Sequence, residues 1–335
     1  MEKPGYNQRV NTRAEILRLL SDGVFHSGTD LGKKLGITRA AVCKNVRQLT
    51  QTGLDVHRVT GRGYKLEAPL VLLDRHRILK RLGSAAPEMR DRLYVLDEVD
   101  STNHALAGYL SAAKSVDGVT CLAETQLSGR GRRGRSWVTT PYHNLMLSMA
   151  WRFPGGPAMV SGLSLAAGVA VRQAIVEYGA AGVGLKWPND VLWNGRKLAG
   201  LLVDTQGEAA GPTQVILGVG VNGRISREDS ERIDQPWVDM QTISGETTDR
   251  NRLAALVIAQ LTRMFRLFAE KGFAPFRDAW QNQHLYHGRR VRLLQGGREF
   301  FGTVEGIDEN GGLIVRHRKG LQLFHSGEIS MRPEK

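Results

Sequence analysis

The sequence predicts an α+β multidomain protein, in which a small basic helical module precedes a larger mixed sheet and a short run of C-terminal strands. Three observations carry this reading. The chain has 335 residues, which at roughly 150 residues per domain means two or three domains. Its positive charge is concentrated in a first segment patterned as three short helices and a hairpin. From Leu93 onward, short apolar strands follow one another without intervening helices, so a regularly alternating parallel sheet is not expected.

Composition narrows the function classes. At 41% hydrophobic and 24% charged residues, the chain has the apolar content for packed cores and is not a disordered polyelectrolyte. Lys and Arg total 46 against 33 Asp and Glu, a net charge of +13, which favours phosphate-bearing or polyanionic partners. Two cysteines, Cys43 and Cys121, cannot build a disulfide framework or a four-ligand zinc site, and a reducing compartment is expected. The opening Met1-Glu-Lys-Pro-Gly has no apolar stretch of the secretory kind. The most apolar segment, Ala158 to Val171, counts about 14 residues, short of the roughly 20 a spanning helix needs. A cytoplasmic protein with no membrane partner is therefore expected.

Residues 1–66 carry twelve Lys and Arg against five acids, a net +7. Thr12-x-x-Glu15 reads as a capping box before the stripe Ile16, Leu17, Leu19 and Leu20, closed by Gly23. A second helix through Leu31 to Leu35 breaks at Gly36. Thr38 is a good N-cap for a third, with Ala41, Val42, Val46 and Leu49 on its buried side. Val56 and Val59 alternate into a turn at Gly61-Arg62-Gly63 and return through Tyr64 to Leu66. This is a winged helix-turn-helix, whose last helix enters a DNA major groove. Thr38, Arg39, Lys44, Asn45 and Arg47 are the candidate DNA-binding residues of that helix, and Arg62 tips the wing. Arg and Asn match base edges, while Lys chiefly finds phosphate.

After Pro69, Asp74 to Leu82 reads as a linker helix. The expected boundaries are 1–66 for the DNA-binding module, 67–90 for the linker, 91–282 for a central domain and 283–335 for a C-terminal one. Strands are expected at Tyr94–Leu96, Gly118–Ala123, Asn144–Trp151, Gly184–Trp187, Lys197–Asp204 and Val215–Asn222. Helices are expected from about Val160 to Tyr178 and over 251–270. A mixed or antiparallel sheet with helices on one side fits this order.

The most informative segment is Gln126-Leu-Ser-Gly-Arg-Gly-Arg-Arg-Gly-Arg-Ser-Trp137. It contains G-x-G-x-x-G formally, but Gly134 leads to an extended stretch broken by Pro141 rather than to a helix, so a dinucleotide fingerprint is rejected. What remains is a loop with Arg130, Arg132, Arg133 and Arg135. Crowded guanidinium groups repel, and such a loop should stay loose until an anion arrives. A second cluster, Lys186-Trp-Pro-Asn-Asp190 followed by Arg196-Lys-Leu-Ala-Gly200, is expected to end a strand at Lys186 and set Asn189-Asp190 in a proline-fixed turn, offering cations, an amide and a carboxylate suited to phosphate and Mg²⁺. Asp100-Ser-Thr-Asn103 is a polar run equally readable as a helix N-cap. Gly218-x-Gly220-x-Asn222 puts glycines inside a strand, which suggests close approach of the backbone to a ligand. No P-loop motif occurs. His284-x-x-His287 lacks a third ligand and reads as structural, and the sequence names no direct metal ligand.

In this order these segments closely resemble the biotin protein ligases, specifically the bifunctional bacterial type that is also the biotin operon repressor. The resemblance runs nearly end to end and rests most on the arginine-glycine loop together with Lys186-Trp-Pro-Asn-Asp190. It implies a central fold like the class II aminoacyl-tRNA synthetases and an SH3-like C-terminal barrel over Val291 to Met331. It implies a reaction of biotin with MgATP to biotinyl-5′-AMP, followed by transfer to a lysine of a biotin carboxyl carrier protein. It assigns Ser101, Thr102, Asn103, Gln126, Arg130, Gly131, Arg132, Lys197, Gly218 and Gly220 to biotin. Lys186, Asn189, Asp190, Asn222, Trp237 and Arg332 face the nucleotide, with Arg132 and Lys197 catalytic. Residues 223–237 correspond to a second mobile loop, here strongly charged, with Ile225 and Ile233 its apolar residues before Trp237.

The resemblance also implies a homodimer that forms on ligand binding and reads operator DNA, with the adenylate as corepressor. The competing readings are a transcription factor that only senses a small anion and a lipoate-specific relative. Pyrophosphate release separates the first and competition by lipoate the second.

Overall fold

The computed structural model describes residues 12–83, 87–110, 115–207, 211–295, 298–325 and 329–333. Its N-terminal unit comprises α1 (Thr12–Leu20), α2 (Gly28–Leu35), α3 (Arg39–Gln51), β1 (Val56–Val59) and β2 (Gly63–Leu66). Gly36 ends α2 at φ 66° and Thr38 caps α3 through the Ala41 amide, as expected. Ser27, not anticipated, caps α2 by accepting from the Thr29 and Asp30 amides, while Thr12, read as opening a capping box, lies within α1 and Glu15 pairs with Arg18 instead. Ile16, Leu17, Leu20, Leu31, Val42, Val46 and Leu49 form its apolar cluster. Tyr142, from far along the chain, joins that cluster with its backbone at φ 65°. Arg13 reaches Glu98 at 3.6 Å, so the unit is tied to the central sheet at two points.

The central region contains α4 (Arg75–Leu82), β3 (Leu93–Val99), α5 (Thr102–Leu110), β4 (Thr120–Gln126), β5 (Leu145–Phe153), α6 (Leu163–Tyr178), β6 (Val183–Lys186), β7 (Asp190–Trp193), β8 (Arg196–Gln206) and β9 (Thr213–Val221). It continues through α7 (Arg227–Ser230), α8 (Met240–Ser244), α9 (Arg250–Lys271) and α10 (Ala274–Gln283). The sheet order is β3-β4-β5-β9-β8-β7-β6. Only the β3–β4 pair is parallel and the other described pairs are antiparallel, so the sheet is mixed, as the absence of alternating helices predicted.

The expectation of helices on one side is corrected. Strand alternation sends Leu122, Met149 and Leu217 to the cluster under α6 and α9, whereas their neighbours Cys121, Ala150 and Ile216 pack with Leu106 and Leu110 of α5. Both faces are covered because α5, short and weakly patterned, was legible only as a possible cap. The apolar count of α6 is corrected too. Pro157–Tyr178 is a 22-residue stretch of mean hydropathy 1.5, long and apolar enough by composition to cross a membrane. In this fold Leu163, Leu165, Ala166, Ala170 and Val171 are buried between the sheet and α9, and a helix covered on several sides reads apolar nearly all round.

The linker is fastened to the core by polar groups. Arg250, with a side chain 2% exposed, pairs with Glu124 at 2.6 Å and donates to the Val71 carbonyl at 2.7 Å. Glu124 also accepts from the Leu73 amide, and Asn251 donates to the Leu72 carbonyl. A buried ion pair with its remaining bonds filled fixes one arrangement, since removing either partner strands a charge. Downstream, β10 (Arg290–Gln295), β11 (Arg298–Ile307), β12 (Leu313–His317), β13 (Gly320–Phe324) and β14 (Ile329–Pro333) form an antiparallel sheet ordered β13-β12-β11-β10-β14.

Candidate active site

A cavity of about 640 Å³ opens where β4, β8, β9 and the start of α5 meet the arginine-glycine loop. That volume suits an organic ligand larger than a simple ion. Ser101 to Asn103 enter because β3 ends at Val99 and the chain turns directly into α5, with Ser101 Oγ accepting from the His104 amide. The run is thus a helix cap and a cavity wall at once. Gln126 ends β4, and its Oε1 accepts from the Thr102 amide at 2.8 Å.

The arginine-glycine loop folds as a tight hairpin. The Gly131 amide donates to the Arg135 carbonyl at 2.7 Å and the Trp137 amide to the Gly129 carbonyl at 2.8 Å. Arg133 sits at φ 59° and Gly134 at φ 70°, a left-handed pair that a non-glycine residue adopts at some cost. Arg130, Arg133 and Arg135 are exposed while Arg132 is half-buried, its guanidinium 3.4 Å from Asn189 Oδ1. Burial pulls the Arg132 pKa down from its ordinary value, and the neighbouring Arg133 and Arg135 act in the same direction. An anion placed there would relieve both effects.

Lys186 and Asp190 are cross-strand neighbours of the β6–β7 hairpin, so Asp190 starts a strand rather than sitting in the expected turn. The Trp187–Pro188 peptide between the strands is cis. Lys197 Nζ lies 2.7 Å from Asp190 Oδ1, and Lys186 Nζ lies 3.9 Å from Oδ2. Asn189 donates to the Leu201 carbonyl at 2.6 Å, which fixes the oxygen that meets Arg132. Trp237 also lines the cavity, and its flanks are pinned to Lys197: the Lys197 amide donates to the Pro236 carbonyl and the Val238 amide to the Lys197 carbonyl, each at 2.9 Å. Ile225 is buried against this second loop, and Ile233 faces the cavity.

The two strand glycines are required by protein side chains. A Cβ at Gly218 would lie 2.5 Å from Asn103 Oδ1, and one at Gly220 would lie 2.5 Å from the Trp137 ring. Asn222 lines the cavity, but its amide nitrogen is committed to the Lys197 and Val238 carbonyls. Arg332 has its backbone on β14, opposite Arg292. Among the described residues no cluster of three His, Cys, Asp or Glu could hold a metal. His284 stacks on Trp280 at 4.4 Å, buried, with its pKa pushed down to about 3.

Sequence reasoning missed Trp137, Gly200, Ser148 and Asp204 as cavity or near-cavity residues. Ser148 carried a signal, being the one small hydroxyl in the apolar run Leu145–Phe153. In the N-terminal unit, Thr38, Arg39, Lys44, Arg47 and Arg62 are all exposed. Asn45 instead donates to the Ala41 carbonyl at 2.9 Å, and Arg62 lies over the Phe25 ring at 4.2 Å.

Comparison with known proteins agrees with this geometry. Residues 95–222 match the Biotin/lipoate A/B protein ligase family, 286–332 the Biotin protein ligase C terminal domain, and 12–65 an HTH domain. The bifunctional ligase/repressor BirA of Salmonella typhimurium is 40% identical over 95% of this chain and 96% of its own. The chain belongs to the biotin protein ligase family. Its Escherichia coli counterpart is 39% identical over the same shares. The biotin protein ligase from Aquifex aeolicus, solved in complex with biotin and ATP, superposes with a TM-score of 0.61 at 28% identity, covering 72% of this chain and 99% of that one. The fold class read from the sequence and the resemblance stated with it are thereby borne out for this member of the ligase family.

Proposed function

We propose that this protein is a bifunctional biotin protein ligase and DNA-binding repressor. As a ligase it condenses biotin with ATP to biotinyl-5′-AMP, and transfers the biotinyl group to a lysine of a biotin carboxyl carrier protein. In the first step a carboxylate oxygen of biotin attacks the α-phosphorus and pyrophosphate leaves. In the second, a neutral lysine amine attacks the acyl carbon, AMP leaves, and the amine gives up a proton as the amide forms.

The observation that carries this reading is the convergence of Arg132, Lys186 and Lys197 on one cavity whose other end is walled by the uncharged Ser101, Thr102, Asn103 and Gln126. Bringing a carboxylate onto a triphosphate juxtaposes like charges, and prepositioned cations are the largest stabilisation a protein can supply there. Lys197 would hold the carboxylate and α-phosphate, with Arg132 closing over them and Lys186 and Asp190 toward the phosphates. Trp237 would cover the adenine. Ser101, Thr102, Asn103 and Gln126 would receive the uncharged bicyclic head. Asp190 is a single carboxylate already between two lysines, which suits Mg²⁺ arriving on the triphosphate and supplying charge neutralisation there.

As a repressor the protein uses its winged helix-turn-helix, with Arg39 and Arg47 at base edges and Lys44 and Arg62 on phosphate. Biotinyl-5′-AMP acts as corepressor: ordering two loops around one ligand favours a homodimer that carries two such modules to a palindromic operator. The test is incubation with biotin, MgATP and a carrier domain, followed by pyrophosphate assay and mass spectrometry. Stoichiometric pyrophosphate and one added biotinyl group are expected. Biotin binding with neither would reduce the protein to a ligand-sensing DNA binder. Sedimentation with and without the adenylate tests the dimer.

A further inference from the structure

The second loop, residues 223–237, is charged at seven positions from Arg224 to Asp234, and before Trp237 only Ile225 and Ile233 are large apolar side chains. Apolar cover is therefore too scant to close it over a ligand. Its ends are anchored: the Gly223 amide donates to Asn144 Oδ1 at 3.0 Å, and Pro236 and Val238 bond to the Lys197 backbone. Its middle is fastened by polar groups. Thr140 Oγ1 donates to Asp229 Oδ2 at 2.7 Å and accepts from the Ser226 amide at 2.9 Å. Ser226 Oγ donates to the same carboxylate oxygen at 2.8 Å and accepts from the Asp229 amide at 3.1 Å. Arg232 lies 3.4 Å from Asp229 Oδ1.

Each hydroxyl here gives its one proton to the carboxylate and uses a lone pair for an amide, so all of these bonds form at once. Bonds to an ionised acceptor are the stronger kind, and Thr140, 5% exposed, makes its pair where water competes little. Thr140 stands three residues after Trp137, the end of the arginine-glycine hairpin. Trp137 and Val138 line the cavity, as do Ile233 and Trp237 of the second loop. The Thr140–Asp229 bond thus joins the root of one loop to the middle of the other, and neither of its residues lines the cavity itself.

We propose that Thr140 and Asp229 are positioning residues that hold the second loop shut over the nucleotide half of the cavity, a polar fastening where the loop lacks an apolar one. A ligand that needs the shut loop binds in proportion to the fraction of molecules in that state. The fastening raises this fraction without touching the ligand, and so retains the nucleotide and the adenylate made from it. This rests on the reading of the cavity as a ligase site and names the residues that keep its nucleotide end closed.

The test compares full-length wild type, Thr140→Val, Thr140→Ser, Asp229→Ala and the double variant Thr140→Val/Asp229→Ala. It measures the KM for ATP in pyrophosphate release, the rate at which labelled biotinyl-5′-AMP leaves the protein, and the affinity for biotin alone. Thr140→Val keeps the shape and loses both bonds. It should raise the ATP KM and the adenylate release rate about tenfold, as Asp229→Ala should, since hydrogen bonds to a charged group are worth roughly that much. The double variant should be no worse than either single one, because all three break one fastening. Thr140→Ser keeps the hydroxyl and should recover most of the loss. Affinity for biotin alone and the melting temperature should match wild type. An ATP KM and a release rate unchanged in Thr140→Val overturn the proposal. So do additive losses in the double variant, and so does an equal loss of affinity for biotin alone, which would mark general damage. A wild-type protein that releases no pyrophosphate with biotin and ATP overturns the ligase reading first, and this one with it.

Discussion

Replacing Lys197 by methionine should remove the main charge stabilisation of adenylate formation while leaving the fold intact. Its ammonium lies 2.7 Å from Asp190 Oδ1, with a side chain 16% exposed. A unit charge at about that distance is worth about 6 kcal/mol at an effective dielectric constant near 20. Only the part gained between ground and transition states counts, and loss of one such prepositioned group typically costs about 3–4 kcal/mol, or 10²–10³ in rate. Lys186 cannot compensate, because it already sits 3.9 Å from the other oxygen of Asp190 on the hairpin below. The backbone of Lys197 is held independently by Pro236 and Val238, so an unchanged melting temperature is expected. The assay is pyrophosphate release at saturating biotin and MgATP, followed by transfer from supplied biotinyl-5′-AMP to a carrier domain. The first rate should fall about 10³-fold and the second by much less. A pyrophosphate rate within about tenfold of wild type would refute the electrostatic argument.

Three further outcomes follow from other parts of the molecule. Arg132→Gly, which removes the half-buried guanidinium beside Asn189, should release adenylate into solution and label lysines of bystander proteins; unchanged acceptor selectivity by mass spectrometry would count against closure by this loop. His284 and His143 have pKa values pushed down by burial to about 3 and about 4. The unfolded chain therefore binds more protons below the ordinary value of 6.5, and stability is lost as pH falls from there toward 4, by up to about 1.4 kcal/mol per pH unit per histidine. His284→Phe should flatten that slope in urea titrations across pH 4–7, and an unchanged slope would refute the assignment. Arg47→Ala on the exposed face of α3 should cost about 1–3 kcal/mol at one base pair of the operator and relax the sequence preference there; unchanged operator affinity and preference would move the interface off α3.

The parts of the fold that the sequence made legible are those whose signals are local. Thr38 and Gly36 bound the recognition helix by capping chemistry that needs no tertiary partner. The arginine-glycine loop was recognisable because seven consecutive positions carry charge and flexibility that no core strand tolerates. What stayed hidden depends on distant partners. Nothing near Tyr142 announces that its ring completes the apolar cluster of a module ending some seventy positions earlier. The short strand β7 follows a cis-proline turn and pairs on both sides, so Asp190 looked like a turn residue. Asn222 was assigned to the nucleotide by the family resemblance, whereas its commitment to the Lys197 and Val238 carbonyls appears only in three dimensions. Gly218 and Gly220 were read as sites where a ligand approaches the backbone, and the groups that approach them in the fold are Asn103 and Trp137.

The central claim is that the guanidinium-bearing hairpin closes on an acyl-adenylate formed in this cavity. Hydrogen exchange of the full chain, compared for the free protein, with biotin alone and with biotin plus MgATP, tests it directly. The account predicts slowed exchange of amides over residues 126–137 with biotin, and of both that loop and residues 223–237 once the adenylate forms. Exchange over 126–137 that is identical in all three states would contradict it.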